Sequence, residues 1–274
     1  MKEIDTGTTD LLARVEDGVA VLTFNRPERR NALTSPMLAA LGQVLAEVEV
    51  DDDVGSVVLT GAGKAFCAGG DVKVMAGADG AAAREAVTVD VRVHRARLAQ
   101  RATSNRLWEM PKPTIAALPG AAAGAGLSLA LACDLRYAVD SAVLTTAFAK
   151  VGLSGDYGGS WFLTRLLGPA KARELYYFSD RIPAAEAERL GLVNAILPED
   201  KFSQHVMERA RRLAAGPRTA HRYMKENLNR AVYGRLAECL DLEATNHVRT
   251  TQTEDHEEAA RAFVEKREPN FRGR

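Results

Sequence analysis

Short apolar runs alternate with helical patterns from the start of the chain. Val19 to Asn25 is an apolar run that predicts a strand, and Glu16-Asp17-Gly18 before it is typical of a hairpin turn. Pro36, followed by apolar residues at helical spacing, predicts an amphipathic helix that ends near Asp51. Val54 to Leu59 predicts a second buried strand. This alternation favours an α/β fold.

The same alternation continues to about residue 200. Further strands are predicted from Pro113 to Leu118, from Leu135 to Val139 and from Leu192 to Leu197. A connector of small residues, Gly77 to Ala83, precedes a long helix predicted to reach Trp108, and we expect this connector to be mobile. After Pro198 the pattern is helical to the end of the chain. Breaks are predicted at Gly216-Pro217, Gly234 and Pro269.

Two glycine-rich stretches each follow a predicted strand. Thr60 to Asp71 contains four glycines, and a helical pattern resumes at Val72 to Met75. Pro119 to Gly126 predicts a tight turn, and Leu127 to Ala132 predicts a helix. Glycine lets the backbone turn sharply and approach a ligand, and N–H groups at a helix start carry partial positive charge. Two such units predict an oxyanion hole made from the main chain.

Composition limits the other possibilities. Hydrophobic residues make up 46% of the 274, which is enough for a substantial core, and no apolar run is long enough to cross a membrane. The first ten residues are acidic and polar, unlike a signal peptide, and the three cysteines have neither disulfide nor metal spacing. We therefore expect a cytoplasmic protein. Lysine plus arginine equal aspartate plus glutamate, 36 each, which argues against a nucleic-acid binder.

Several short motifs occur in an order and spacing that identify a family. They are Phe24-Asn25-Arg26-Pro27, Asn31-Ala32-Leu33, Lys64 to Asp71, Pro113 to Gly120, Gly124-Ala125-Gly126, Ala132-Cys133-Asp134, Gly158-Gly159 and Phe263 to Arg267. In these motifs the chain resembles the crotonase superfamily of enoyl-CoA hydratases and isomerases. The resemblance runs from about Val15 to Arg267, nearly the whole chain.

The resemblance implies a fold that periodicity alone does not distinguish from a doubly wound sheet. It implies a spiral of ββα units over residues 1–212, which holds the acyl-CoA site. Residues 213–274 would form a C-terminal helical region that builds a homotrimer or a dimer of trimers. A dinucleotide-binding fold is disfavoured, because Leu129 stands where the last glycine of a G-x-G-x-x-G pattern should be.

The resemblance also implies catalytic groups. The oxyanion donors would be the backbone N–H groups of Gly70 and Ala125; the alternative is that these glycine loops serve only as turns. Related hydratases carry two glutamates, which align here with Ser128 and Phe148. Neither residue can act as a general base without a partner. The two-glutamate hydration mechanism is therefore in doubt for this chain.

Asp156 is the carboxylate that remains in a suitable place. It lies on the glycine-flanked loop before a helix predicted to begin near Ser160. An aspartate resembles it in family members that move double bonds or open epoxides. Aromatic neighbours, Phe148, Tyr157, Trp161 and Phe162, would desolvate the carboxylate and raise its pKa toward the range of a general base. The alternative interpretation is a helix N-cap.

A second set of residues is expected to bind the CoA thioester. Arg29, Arg30 and Lys64 match the phosphates of CoA, because guanidinium and ammonium groups pair with phosphate oxygens. Phe263 and Lys266 resemble tail residues that cover the nucleotide, often from a neighbouring subunit. The remaining predicted substrate or CoA contacts are Ala32, Ala68, Asp71, Val72 and Phe148.

Other chemically reactive residues have structural interpretations. Cys67 has no histidine nearby in the sequence, so we interpret it as structural rather than nucleophilic. Asp71 and Asp134 are expected to hold loop N–H groups, and His94 is expected on a solvated helix face.

Together these features predict an acyl-CoA enzyme that acts through an oxyanion-stabilised thioester enolate. Asp156 would move a proton between two carbons, as in an enoyl-CoA or epoxy-acyl-CoA isomerase. One alternative is hydration of a 2-enoyl-CoA. An alternative of another class is a non-catalytic CoA-binding or RNA-binding homologue. No metal and no tightly bound cofactor are predicted; CoA enters as part of the substrate.

Overall fold

The computed structural model describes residues 1–72, 77 and 87–274. Its strands are β1 Lys2–Ile4, β2 Leu11–Glu16, β3 Val19–Phe24, β4 Ser56–Gly61, β5 Ala65–Cys67, β6 Thr114–Leu118, β7 Ala121–Ala123, β8 Leu135–Val139, β9 Val143–Thr145, β10 Ile182–Pro183 and β11 Ala195–Leu197. Its α-helices are α1 Ser35–Val50, α2 Val89–Gln100, α3 Arg106–Glu109, α4 Ala125–Leu131, α5 Gly159–Leu167, α6 Pro169–Phe178, α7 Ala184–Arg189, α8 Glu199–Ala214, α9 Arg218–Ala231, α10 Leu236–Thr250 and α11 Glu254–Glu265. Short 3₁₀ segments cover Pro27–Arg29 and Ala149–Val151, and a π-helical segment, Arg101–Asn105, joins α2 to α3.

The strands form two sheets, and from β4 to β9 successive strands alternate between them. The larger sheet has the order β1-β2-β3-β4-β6-β8-β11, and the smaller has the order β10-β9-β7-β5. Strands β4, β6 and β8 pair in parallel in one sheet, while β5, β7 and β9 pair in parallel in the other. Each repeat thus adds one strand to each sheet before the chain returns through helix. This is the predicted ββα spiral.

The first elements form as the sequence predicts. Asp17 and Gly18 both have positive φ, so β2 and β3 close into a tight antiparallel hairpin. Helix α1 begins with the Thr34 side chain accepting a hydrogen bond from the N–H of Met37, and it ends at Val50. Its apolar stripe, including Leu41 and Leu45, is fully buried against the spiral. Burial of each such side chain contributes about 1.5–3 kcal/mol.

The predicted tight turn from Pro119 to Gly126 is wrong in part. Residues Ala121–Ala123 form strand β7, and only Gly124, with φ of 53°, turns the chain into α4. The stretch Lys64 to Asp71 likewise contains strand β5. Strands of three small residues are too short for a period-two pattern, so the glycines around them dominate the sequence.

Most of the helices and helix breaks predicted from the sequence are present in the structure. Segments α2, Arg101–Asn105 and α3 run on to Glu109, which confirms the predicted long helix. The breaks at Gly216-Pro217 and Gly234 are confirmed, and a further break at Thr251 to Thr253 was not predicted. The predicted helix at Val72 to Met75 and the predicted connector Gly77 to Ala83 lie largely outside the described residues. None of the helices in the described part of the chain has the length and apolarity to cross a bilayer.

Buried polar contacts attach α9 to the spiral. The Lys225 ammonium, 7% exposed, donates to the carbonyls of Leu107 and Lys112 and pairs with Asp134 at 2.8 Å. The Asp134 carboxylate also accepts hydrogen bonds from the N–H and hydroxyl of Thr114. Asp134 is therefore a structural acid, as the sequence predicts.

Candidate active site

The two glycine-rich stretches meet backbone to backbone. A methyl group on Gly69, whose φ is 85°, would lie 2.8 Å from the carbonyl oxygen of Ala123 and 3.4 Å from the nitrogen of Ala125. A methyl group on Gly126 would lie 2.6 Å from the carbonyl oxygen of Cys67. Side chains at these positions would force the stretches apart, so the glycines are needed for the close approach. The segment that follows β5 and the start of α4 are therefore in direct backbone contact.

Both predicted oxyanion donors lie at this junction. Ala125 is the first residue of α4, and the first N–H groups of a helix have no partner within it. Gly70 follows β5 and forms a parallel bridge with Leu33, whose N–H donates to the carbonyl of Gly69. Among the described residues, no hydrogen bond is recorded from the N–H of Gly70. The junction thus presents main-chain donors suited to a developing oxyanion.

A buried asparagine shapes the segment that faces these donors. Asn31 is fully buried in a left-handed conformation, and its amide donates to the carbonyls of Ala62 and Ala65. Arg26 donates to the carbonyl of Ala32 and forms an ion pair with Asp71 at 3.4 Å. Asp71 is therefore held within the loop framework by Arg26, and its predicted contacts with loop N–H groups stay a prediction.

Asp156 lies in the turn that leads into α5. Its Oδ1 atom is enclosed and has no hydrogen-bond partner among the described residues. Loss of water around the carboxyl raises its pKa from 3.8 to about 6. The N-cap of α5 is Gly158, and no side chain caps the helix there. Asp156 is therefore a desolvated carboxylate rather than a capping residue.

Aromatic and small side chains pack around the Asp156 turn. Phe148 stacks on Tyr176 with ring centroids 5.7 Å apart, and its edge would lie 3.7 Å from a methyl group on Gly124. Ser128 is buried in α4, and a methyl group on Gly159 would lie 2.3 Å from its hydroxyl oxygen. The two positions that the resemblance aligns with hydratase glutamates thus hold a phenylalanine and a serine in a closely packed region.

Trp161 and Phe162 line a neighbouring cavity. Both pack against Trp108, with ring centroids 5.2 and 5.5 Å apart, respectively. With Gly158 they border a cavity of about 430 Å³ that adjoins the Asp156 turn. Its lining includes enough aromatic surface for an apolar group.

A second cavity carries positive charge. Arg30 and Lys64 both border a space of about 380 Å³ beside β5 and β7, and Arg181 and Glu199 complete its charged rim. The N–H of Ala68 donates to the carbonyl of Arg30, so this rim is tied to the stretch that contains Gly70. Guanidinium and ammonium groups in such a space suit phosphate oxygens.

The structure does not unite all of the predicted CoA contacts. Ala32 is buried and Val72 is half exposed near the glycine stretches, whereas Arg29 is exposed outside the charged cavity. Phe263 is 86% exposed on α11, and Lys266 follows that helix. Within the part of the chain that the structure describes, no hydrogen bond or ion pair joins Phe263 or Lys266 to the glycine stretches.

The remaining reactive side chains agree with their structural interpretations. Cys67 is fully buried, and burial raises the pKa of its thiol to about 12, so it holds no thiolate near neutral pH. His94 is exposed on α2.

Sequence reasoning missed Tyr176, Arg181 and the structural role of Asn31. Tyr176 lies on α6, twenty positions after Asp156, and its spacing gives no sign that the two meet. Arg181 has no surrounding basic pattern. In the sequence Asn31 stands only as part of a motif. Asparagine adopts positive φ more readily than most residues, and its place directly after Pro27 to Arg30 could have suggested a structural role in a turn.

Comparisons with known proteins agree with this architecture. The family model described as enoyl-CoA hydratase/isomerase matches residues 14–274. A probable enoyl-CoA hydratase of Rhodobacter capsulatus is 38% identical, covering 95% of this chain and 96% of its own length. The 1,2-epoxyphenylacetyl-CoA isomerase of Escherichia coli is 36% identical, covering 96% of this chain and 98% of its own.

A solved structure gives the same result for the fold. The crystal structure of a putative enoyl-CoA hydratase from Streptomyces coelicolor superposes with a TM-score of 0.89 at 38% identity. The match covers 97% of this chain and 94% of that chain. Sequence, spiral fold and the junction of the two glycine stretches therefore lead to one conclusion: the chain belongs to the enoyl-CoA hydratase/isomerase family.

Proposed function

We propose that this chain is an acyl-CoA isomerase in which Asp156 is the base. The observation that carries the proposal is the enclosed Asp156 carboxyl, whose Oδ1 has no partner among the described residues and whose pKa is raised to about 6. Such a group is ionised near neutral pH yet accepts a proton readily, as a general base must.

The reaction follows from the neighbours of Asp156. The thioester carbonyl accepts hydrogen bonds from the N–H groups of Gly70 and Ala125, which stabilises the enolate oxygen. Asp156 removes a proton from the carbon next to that carbonyl. In a 3-enoyl chain the double bond shifts toward the carbonyl, and Asp156 returns the proton to the carbon at the far end of the shifted system. Where an epoxide adjoins the deprotonated carbon, its C–O bond breaks as the new double bond forms, and the proton goes to the released oxygen. Neither route adds water.

Binding of the thioester uses the two cavities. Arg30 and Lys64, with Arg181, pair with CoA phosphates in the charged space, and the aromatic cavity beside Gly158 receives the acyl end. The named activity of the E. coli relative, isomerisation of 1,2-epoxyphenylacetyl-CoA, supports an isomerase with an aromatic or oxygen-bearing acyl group.

Turnover of a substrate panel tests the proposal. The panel contains 3-enoyl-, 2-enoyl- and aromatic epoxy-CoA thioesters in D₂O, with products identified by mass and retention time. We expect isomerised products, with deuterium on the receiving carbon to the extent that the proton held by Asp156 exchanges with solvent. These products should be lost in Asp156→Asn, while CoA-ester affinity changes little. Equal turnover by the wild type and Asp156→Asn would refute the role of Asp156, and absence of any turnover would favour the non-catalytic homologue.

Hydration of a 2-enoyl-CoA is the second candidate. It is supported by the name of the R. capsulatus relative, a probable enoyl-CoA hydratase. Ser128 and Phe148 weigh against it, because neither can activate water in place of a glutamate. We expect weak hydration of crotonyl-CoA. A kcat/KM of about 10⁷–10⁸ M⁻¹s⁻¹, the upper end of the range for enzymes, would establish the hydratase instead.

A further inference from the structure

The turn that carries Asp156 is built from uncommon backbone conformations. Gly155, Tyr157 and Gly158 have positive φ angles of 116°, 47° and 77°, respectively. Glycine adopts such angles without strain, whereas a residue with a bulky side chain does so at a cost. Among the non-glycine residues with positive φ in the described part of the chain, Tyr157 is the only aromatic one. The backbone is therefore strained directly after Asp156.

Burial of the Tyr157 ring offsets this strain. The residue is 9% exposed and belongs to the apolar core of the molecule. Strained backbone persists in a folded protein where the surrounding packing requires it. A glycine would adopt the same φ without strain but would bury no side chain. The ring therefore anchors the turn to the core.

The anchored ring lies within electrostatic reach of the carboxyl that precedes it. Burial, and after it the Asp156 charge, raises the pKa of the Tyr157 phenol to about 12. The same charge acts on Cys67 at the end of β5 and on Tyr176 of α6, and burial is the main reason that their pKa values also rise to about 12. All three side chains are uncharged near neutral pH, so none of them provides Asp156 with a counter-charge.

The raised pKa of Asp156 consequently depends on the exclusion of water. Desolvation by burial is its cause, and Oδ1 has no hydrogen-bond partner among the described residues. If the turn shifted, water would reach the carboxyl and its pKa would return toward the ordinary value of 3.8. The conformation of the turn thus sets both the place and the basicity of this group.

We propose that Tyr157 is a positioning residue for Asp156, because its buried ring holds the strained turn in the conformation that encloses the carboxyl. Tyr157 acts through Asp156 and need not touch the substrate. This inference rests on the proposed function, in which Asp156 is the base.

Kinetic measurements on Tyr157→Gly test the proposal. This variant relieves the strain but removes the ring. With the thioester of the panel that turns over fastest, we expect kcat to fall about 10- to 100-fold while KM stays within about threefold, because the base is displaced and the thioester site is retained. The midpoint of the acid limb of kcat/KM should move from about pH 6 toward 3.8.

Two control variants separate the ring from the hydroxyl and from the strain. Tyr157→Phe keeps the ring and should rescue both kcat and the pH midpoint. Asp17→Gly relieves a similar angle, φ of 51°, in the β2–β3 hairpin, where the Asp17 side chain is 67% exposed, and it should match the wild type. The proposal is overturned if Tyr157→Phe is as impaired as Tyr157→Gly, or if folded Tyr157→Gly keeps the kcat and pH profile of the wild type.

The pH dependence of stability gives a second readout, which needs no substrate. Free energies of unfolding at pH 4 and pH 8 are compared between chains with Asp156 and with Asp156→Asn, in the wild type and in Tyr157→Leu. Tyr157→Leu keeps apolar bulk in the core and serves if Tyr157→Gly does not fold. We expect the gain in stability from Asp156→Asn at pH 8 to shrink by about half or more in the Tyr157→Leu background, because the carboxyl is less enclosed there. An undiminished gain would also overturn the proposal.

Asp156→Asn separates this proposal from the isomerase mechanism. If Asp156→Asn still turns over the panel, the isomerase mechanism fails, and the stability comparison alone decides whether Tyr157 keeps the carboxyl enclosed. If Asp156→Asn is inactive while Tyr157→Gly matches the wild type, only the Tyr157 proposal fails.

Discussion

At the scale of single residues, Asp156 should determine how activity depends on pH. The carboxyl must be ionised to accept a proton, and desolvation places its pKa at about 6. Turnover of the active thioester, measured as kcat/KM, should therefore be level above pH 7 and fall about tenfold per pH unit well below 6. A profile that stays level to pH 4 would show that another group is the base.

The stability of the fold should depend on pH in the opposite direction, because the desolvated Asp156 carboxyl is more stable protonated. Between pH 3.8 and about 6 the unfolded chain releases the Asp156 proton while the folded chain keeps it. The free energy of unfolding should consequently fall through this window as pH rises, by up to about 3 kcal/mol. Asp156→Asn should be more stable than the wild type at pH 8 and similar to it at pH 4.

At the scale of elements, the attachment of α9 depends on side chains that satisfy the end of another helix. Lys225 and Asn229 donate to the carbonyls of Leu107 and Trp108, which lie in the last turn of α3. Such carbonyls have no partners within their own helix. Cations and amides placed there are favourable for the same reason. The helical region is therefore attached to the spiral by polar contacts as well as by apolar packing.

Removing the Lys225 charge should test this attachment. Lys225→Met keeps most of the apolar stem but removes the ammonium that pairs with Asp134 and donates to two carbonyls. We expect a loss of about 3 kcal/mol in the free energy of unfolding by denaturant titration. Lys171→Met removes an exposed pair with Glu174 and should change stability by less than about 0.5 kcal/mol. Similar values for both variants would show that the buried pair contributes little.

The sequence predicted the long elements well and the short ones poorly. Helix α1 carries a cap, an early proline and an apolar stripe, so several signals agree on its bounds. Strands β5 and β7 have three residues each, and their pairing comes from neighbouring repeats rather than from their own pattern. The same limit applies to the site: the Asp156 loop is a local feature, whereas its meeting with Tyr176 depends on how α6 folds back.

At the scale of the whole molecule, α11 carries an apolar pair that the single chain leaves exposed. Phe263 and Val264 are adjacent apolar residues, 86% and 80% exposed. An exposed apolar pair at the end of a helical region fits a contact with another copy of the chain. That residues 213–274 assemble a trimer or a dimer of trimers, with the tail covering the CoA of a neighbour, stays a prediction.

Phe263→Ser tests the tail with little risk to folding, because the side chain is already exposed. We expect a smaller assembly by sedimentation and a clear loss of CoA affinity by calorimetry. Removal of the chain after Thr253 should have a larger effect, since it deletes all of α11. Lys266→Ala should weaken binding less, and more so at low salt, because an exposed ion pair contributes only about 0–1 kcal/mol. A wild-type monomer, or unchanged CoA affinity in the truncated chain, would show that the tail assignment is wrong.

The parallel pairing of β5 with β7 has a consequence for how such an enzyme can change. Gly70 and Ala125 follow these neighbouring strands, so their separation is governed by the spacing of a sheet, about 4.8 Å between strands. Backbone hydrogen bonds maintain that spacing whatever side chains the strands carry. The proposed oxyanion donors are thus positioned by the sheet itself, whereas the proposed base, Asp156, is a side chain that one substitution replaces. Under this proposal a different reaction requires only a different base, while the two backbone donors keep their positions.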